Sequence, residues 1–179
     1  MLAAGAVRAA RIELRWTKFG LVAAAAASLV LVSDELLKAF VRANLAVCDV
    51  ERVSACARLD LAGPLRLVRA ENAGSALGFA QGLGVWVLLA ALGVLLIPLY
   101  AGRLRTAGVL GALAAGLQAG GALGNLLDRL VLGGATDMLT FGPALVWNLA
   151  DVGLALGTLL ATALLARALY SSESGTQLD

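Results

Sequence analysis

Four long apolar stretches limit what this chain can fold into. They run over about residues 19–41, 77–99, 106–127 and 144–169. Each is close to the ~20 residues that a helix needs to cross a hydrocarbon core. Backbone N–H and C=O groups facing lipid must be satisfied within their own segment, so each stretch is expected to be a transmembrane helix. Composition agrees: 60% of the 179 residues are hydrophobic and the mean hydropathy is +0.88, whereas soluble domains are about 45–50% apolar. The first stretch follows Arg8, Arg11, Arg15 and Lys18, as a cleaved signal peptide would. However, SDELLKAF continues it as a helix, so a retained span is preferred.

Charge sets the orientation. The leader before residue 19 and the link AGRLR, with Arg103 and Arg105, carry the basic residues. The positive-inside rule puts both in the cytoplasm, and with four spans the C-terminal tail is there too. The loops 42–76 and 128–143 then lie outside. LRLVR (65–69) alternates apolar and basic residues after Gly63-Pro64, as a strand does, so a small sheet on the membrane surface is expected. Cys48 and Cys56 in that loop leave two alternatives: a single bridge, if the loop is extracytoplasmic, or two apolar fillers. In the third stretch Gly116, Gly120 and Gly124 form a ridge of small residues that lets a neighbouring helix approach closely.

The chain has no histidine. This excludes Ser-His-Asp triads, Cys-His dyads and HExxH zinc sites. A net charge of +2 gives no footprint for nucleic acid. Carboxylates inside the membrane are therefore the informative groups, because each charge at the bilayer centre costs at least about 2.5–3.5 kcal/mol. Asp34 and Lys38 stand at i, i+4 near the outer end of the first stretch, and Asn125 and Arg129 likewise near the end of the third. Asn148 and Asp151 stand at i, i+3 in the fourth, where Asp151 is expected about seven residues, or about 10 Å, inside. Asp137 is expected in a glycine-bounded loop that folds back toward Asp151. Two close carboxylates in a poorly hydrated site share a proton. Such a pair can activate water with one member and polarise a carbonyl with the other. A proton or cation relay and plain structural pairing are the competing readings of the same residues.

Four segments bear on that choice: SDELLK (33–38), ENAGSALGF (71–79), GNLLDRLVLGGATDM (124–138) and WNLADV (147–152). In this order and spacing they resemble the lipoprotein signal peptidases, or signal peptidase II. The resemblance covers nearly the whole chain. It implies an all-α membrane protein: four transmembrane helices with a small extracytoplasmic sheet and a short interfacial helix, forming one domain. It implies an aspartic endopeptidase of the bacterial inner membrane, cutting prolipoproteins before a lipidated cysteine. The catalytic pair falls on Asp137 and Asp151, and supporting polar residues on Asp34, Lys38, Asn72, Asn125, Asp128, Arg129 and Asn148. No metal or cofactor is expected. The partners are prolipoproteins and membrane lipid, and the chain is expected to be a monomer. Four positions depart from the family's habit: Glu35, Leu77, Met138 and Trp147.

Overall fold

The computed structural model describes residues 2–48, 56–72, 102–142 and 145–176. Helix α1 spans Leu2–Asn44, α2 spans Val109–Leu132 and α3 spans Leu149–Thr176. Within them Glu13–Asn44, Val109–Leu132 and Leu149–Ser171 are long and apolar enough to cross a membrane. The apolar stretch 77–99 lies outside the described residues. So does the greater part of ENAGSALGF, including Leu77, and no described helix corresponds to the expected interfacial one.

Helix α2 packs between α1 and α3. Its glycine ridge is the reason it can. A methyl group on Gly120 would lie 2.5 Å from the Ala27 carbonyl oxygen of α1, and one on Gly124 would lie 2.9 Å from Asp34 Oδ2. On its other side Gly121 meets Ala150 and Leu154 of α3. Backbones this close leave no room for a side chain. Their closeness brings Asp34 of α1 and the start of α3 to one end of α2.

At that end the described residues form a five-stranded sheet. Strand β1 (Val47–Cys48) continues from α1, and β2 (Leu59–Ala62) and β3 (Leu65–Asn72) form a hairpin. The hairpin turns at Gly63, whose φ of 53° suits glycine. Strand β4 (Ala135–Thr140) follows α2, and β5 (Val146–Trp147) leads into α3. Strand β3 is central: β1 pairs with it in parallel, and β2 and β4 pair with it antiparallel. A disulfide joins Cys48 to Cys56 with Cα atoms 5.6 Å apart, which decides the alternative that composition left open.

The expected outer loop 128–143 is largely ordered secondary structure. Helix α2 runs five residues beyond the apolar stretch, to Leu132, and stops at Gly133, whose left-handed φ of 80° ends it with a backbone bond from Gly133 N–H to the Arg129 carbonyl. Asp137 therefore stands on a strand and not in a loop. Strand β4 alternates in the usual way. Met138 is fully buried against Val41, Leu45 and Leu67, while Asp137 points to the opposite face. Met138 thus fills a core position under the sheet.

Candidate active site

Asp137 sits on β4 directly opposite Ala70 of β3, and Asn72 is the diagonal neighbour on the same face. That register lets Asn72 Nδ2 donate to Asp137 Oδ2 at 2.9 Å. Asn148 Nδ2 donates to the other oxygen, Oδ1, at 2.7 Å. The carboxyl is 4% exposed. Burial raises its pKa from 3.8 to about 6; the amides of Asn72 and Asn148 oppose the rise, and the charge of Asp151 adds to it.

Asp151 belongs to the first turn of α3. The helix starts at Leu149, not near 144, because residues 146–147 are drawn into the sheet as β5. Asn148 is then the residue before the helix. Its Oδ1 accepts the Asp151 N–H at 2.8 Å, and Asp151 Oδ2 faces the Asn148 N–H at 3.4 Å. This is a reciprocal cap of the kind that ends helices at Ser, Thr, Asn or Asp. The expected depth of about two turns is corrected accordingly: Asp151 is at the mouth of its helix, beside the sheet.

The two carboxyl groups are joined by an amide relay. Asn148 Nδ2, besides its bond to Asp137, donates to Asn125 Oδ1 at 2.9 Å. Asn125 Nδ2 in turn donates to Asp151 Oδ1 at 2.7 Å. Asn125 and Asn148 are both buried. The positions of Asn125, Asn148 and Asn72 are thus explained by what each amide holds.

Behind the pair lies a buried ionic brace. Lys38, fully buried, has Nζ 2.6 Å from Asp34 Oδ2 and 2.9 Å from Asp128 Oδ2. Both carboxylates also hold the backbone next to an aspartate of the pair. Asp34 Oδ1 accepts the N–H of Ala150, the neighbour of Asp151, at 3.0 Å. Asp128 Oδ2 accepts the N–H of Thr136, the neighbour of Asp137, at 2.8 Å. Asp34 and Lys38 are therefore more than an isolated i, i+4 pair. Arg42, which the motifs did not bring out, adds bonds to Asp128 Oδ1 at 3.3 Å and to Thr136 Oγ1 at 3.1 Å. Glu35 approaches Lys38 at 4.0 Å and Arg42 at 3.8 Å. The signal for Arg42 was its spacing: residues 34, 38 and 42 recur every fourth position on one helix face. Arg129 Nη1 bonds the Asn125 carbonyl of its own helix at 3.0 Å. Trp147, about 42% exposed, pairs with Leu139 at the sheet edge.

In chemical terms, two carboxyls are held by neutral amides on one side and by a charged frame behind. Burial keeps the proton on one of them, Asp137, up to about pH 6.

Comparisons with known proteins agree with the architecture. A family model described as signal peptidase (SPase) II matches residues 26–167. The lipoprotein signal peptidase of Syntrophomonas wolfei is 36% identical over 132 residues, covering 74% of this chain and 84% of that protein. That of Sphingopyxis alaskensis is 31% identical over 172 residues, covering 92% of each. A solved bacterial membrane enzyme superposes with a TM-score of 0.68 over 88% of this chain and 92% of its own, at 21% identity. This last likeness is one of fold.

Proposed function

The chain belongs to the signal peptidase II family, and from that premise we propose that it is an aspartic endopeptidase with Asp137 and Asp151 as its catalytic pair. Its substrates are prolipoproteins bearing a diacylglyceryl cysteine, cut just before that residue. The observation that carries this reading is the amide relay: Asn148 and Asn125 tie the two carboxyl groups together in a site that favours a proton on Asp137.

The chemistry balances with one proton on the pair. The ionised carboxylate takes a proton from water as the water oxygen bonds to the scissile carbonyl carbon. The protonated carboxyl donates to the carbonyl oxygen as negative charge develops there. The C–N bond then breaks: a proton from the pair goes to the leaving amine of the lipidated cysteine, and a hydroxyl proton of the intermediate returns to the pair as the carbonyl re-forms. The pair titrates as a unit, so base and acid are roles of the dyad. Asn72, Asn125 and Asn148 keep the carboxyls aimed, and Asp34, Lys38 and Asp128 fix the backbones beneath them. No cofactor enters these steps.

The whole chain acts as one inner-membrane domain and a monomer, with residues 77–99 as its fourth span. The N- and C-termini face the cytoplasm and the sheet faces outward. Two features support the orientation: the disulfide at the sheet end suits an oxidising compartment, and Arg15, Lys18, Arg103 and Arg105 gather at the other end. A site at the mouth of α3 suits a substrate whose lipid stays in the outer leaflet.

The test is cleavage of a diacylglyceryl prolipoprotein by purified protein in detergent. Asp137→Asn and Asp151→Asn are each expected to lose at least about a hundredfold in rate while remaining folded. Retention of near-parent activity by both variants would show that the aspartates are structural.

A further inference from the structure

The end of the molecule away from the aspartates carries a second constellation, which peptide cleavage does not use. On α1, Arg15, Lys18, Phe19 and Val22 fall at i, i+3, i+4 and i+7 and so form one stripe. Facing them are Arg105, from the 3₁₀ turn Arg105–Ala107, and Val109, from the first turn of α2. Together they line a cavity of about 360 Å³. Arg15 and Lys18 are exposed. The Arg105 guanidinium stacks on Trp16, its Cζ 3.3 Å from the ring centre, which fixes its direction. Its Nη1 is buried and has no hydrogen-bond partner among the described residues. A buried charged donor without a protein partner has room for a water or an anionic ligand.

The surroundings define that ligand. No ion pair joins Arg15, Lys18 or Arg105 to a carboxylate among the described residues. Glu13 is two residues before Arg15, hence about 200° round the helix, on another face. Three uncompensated cations ask for an anion. Phe19, Val22 and Val109 beside them ask for hydrocarbon. Depth asks for both at once. Arg15 and Asp34 are nineteen residues apart on one unbroken helix, or about 28 Å, which is close to the ~30 Å of a hydrocarbon core. The cations therefore stand at the membrane interface opposite the aspartates.

We propose that this cavity binds an anionic phospholipid from the leaflet at that end of the molecule. Its phosphate is received by Arg105, Arg15 and Lys18, and an acyl chain lies over Phe19, Val22 and Val109. A free phosphate would satisfy the cations but leave the apolar wall uncovered.

The experiment is native mass spectrometry of the purified full chain in neutral detergent with phosphatidylglycerol or phosphatidylcholine. The parent should retain phosphatidylglycerol at least about tenfold better. Arg15→Gln with Lys18→Gln, at exposed positions, and Arg105→Gln should each weaken retention by about fivefold per cation removed. Trp16→Leu keeps every charge but frees Arg105, and it too should weaken retention. Prolipoprotein cleavage in detergent should be unchanged in all of them. Equal retention of the two lipids by the parent would overturn the proposal. So would retention of phosphatidylglycerol that is unaffected by the substitutions. Displacement of the lipid by millimolar inorganic phosphate would make this a simple anion site and overturn the lipid reading.

Discussion

Asp137 has two amide donors and almost no water, and its behaviour follows from that balance. Burial raises its pKa to about 6 against the pull of Asn72 and Asn148. The dyad needs one proton, so kcat/KM is expected to fall as pH rises through about 6, which a pH–rate profile on the free enzyme measures. The charge of Asp151 contributes to the rise but less than burial does. Asp151→Asn should therefore lower the Asp137 pKa without returning it to 3.8, read from the infrared band of the protonated carboxyl. The same shift acts on stability. A carboxyl whose folded pKa is raised favours the fold most below its unfolded pKa, and that contribution is lost as pH rises through the folded value. Asp137→Asn removes this pH dependence, but it offers one acceptor oxygen to two amide donors, which costs stability at every pH. Relative to the parent, the variant should gain up to about 3 kcal/mol between pH 4 and pH 8, as followed by unfolding in detergent. The sequence suggested a carboxyl pair sharing a proton, but not the strand register that puts Asn72 diagonal to Asp137.

Helix α2 is the element that organises the site, through a ridge of glycines on one side and a short ordered exit on the other. Gly120→Ala would press a methyl group onto backbone atoms of Ala27, which cannot rotate away. It should cost about 1–3 kcal/mol and reduce cleavage, because α1 carries Asp34 and Lys38. Gly102→Ala, where nothing lies within 4 Å, is the neutral control. The ridge was readable from its four-residue spacing, but its partner was not; packing put α1 there. The boundary of α3 was misread for a related reason. Apolar residues 144–147 look like helix by composition, yet Val146 and Trp147 pair with β4. A strand two residues long has no periodicity to detect.

Across the whole molecule, the ionic brace links three helices and the sheet through one side chain. Lys38→Met would leave Asp34 without its cation and Asp128 with Arg42 alone, at a cost of roughly 3–5 kcal/mol. Adding Asp34→Asn should recover part of this, which a double-mutant cycle in detergent checks. The molecule's orientation is tested with the Cys48–Cys56 pair. A membrane-impermeant maleimide should label it from outside intact spheroplasts, and only after reduction. By itself the sequence determined the membrane character, the three described helices and the polar residues that gather at one end, because hydropathy, glycine spacing and rare intramembrane charges are local signals. It also showed that LRLVR is a strand. Only the tertiary structure decided that Asp137 lies on a strand, that Asp151 stands at the mouth of its helix, and that Lys38 and Arg42 brace both. Those facts depend on which segments pair and which helix faces meet, for the brace across more than eighty residues of chain, and no local pattern encodes such pairings.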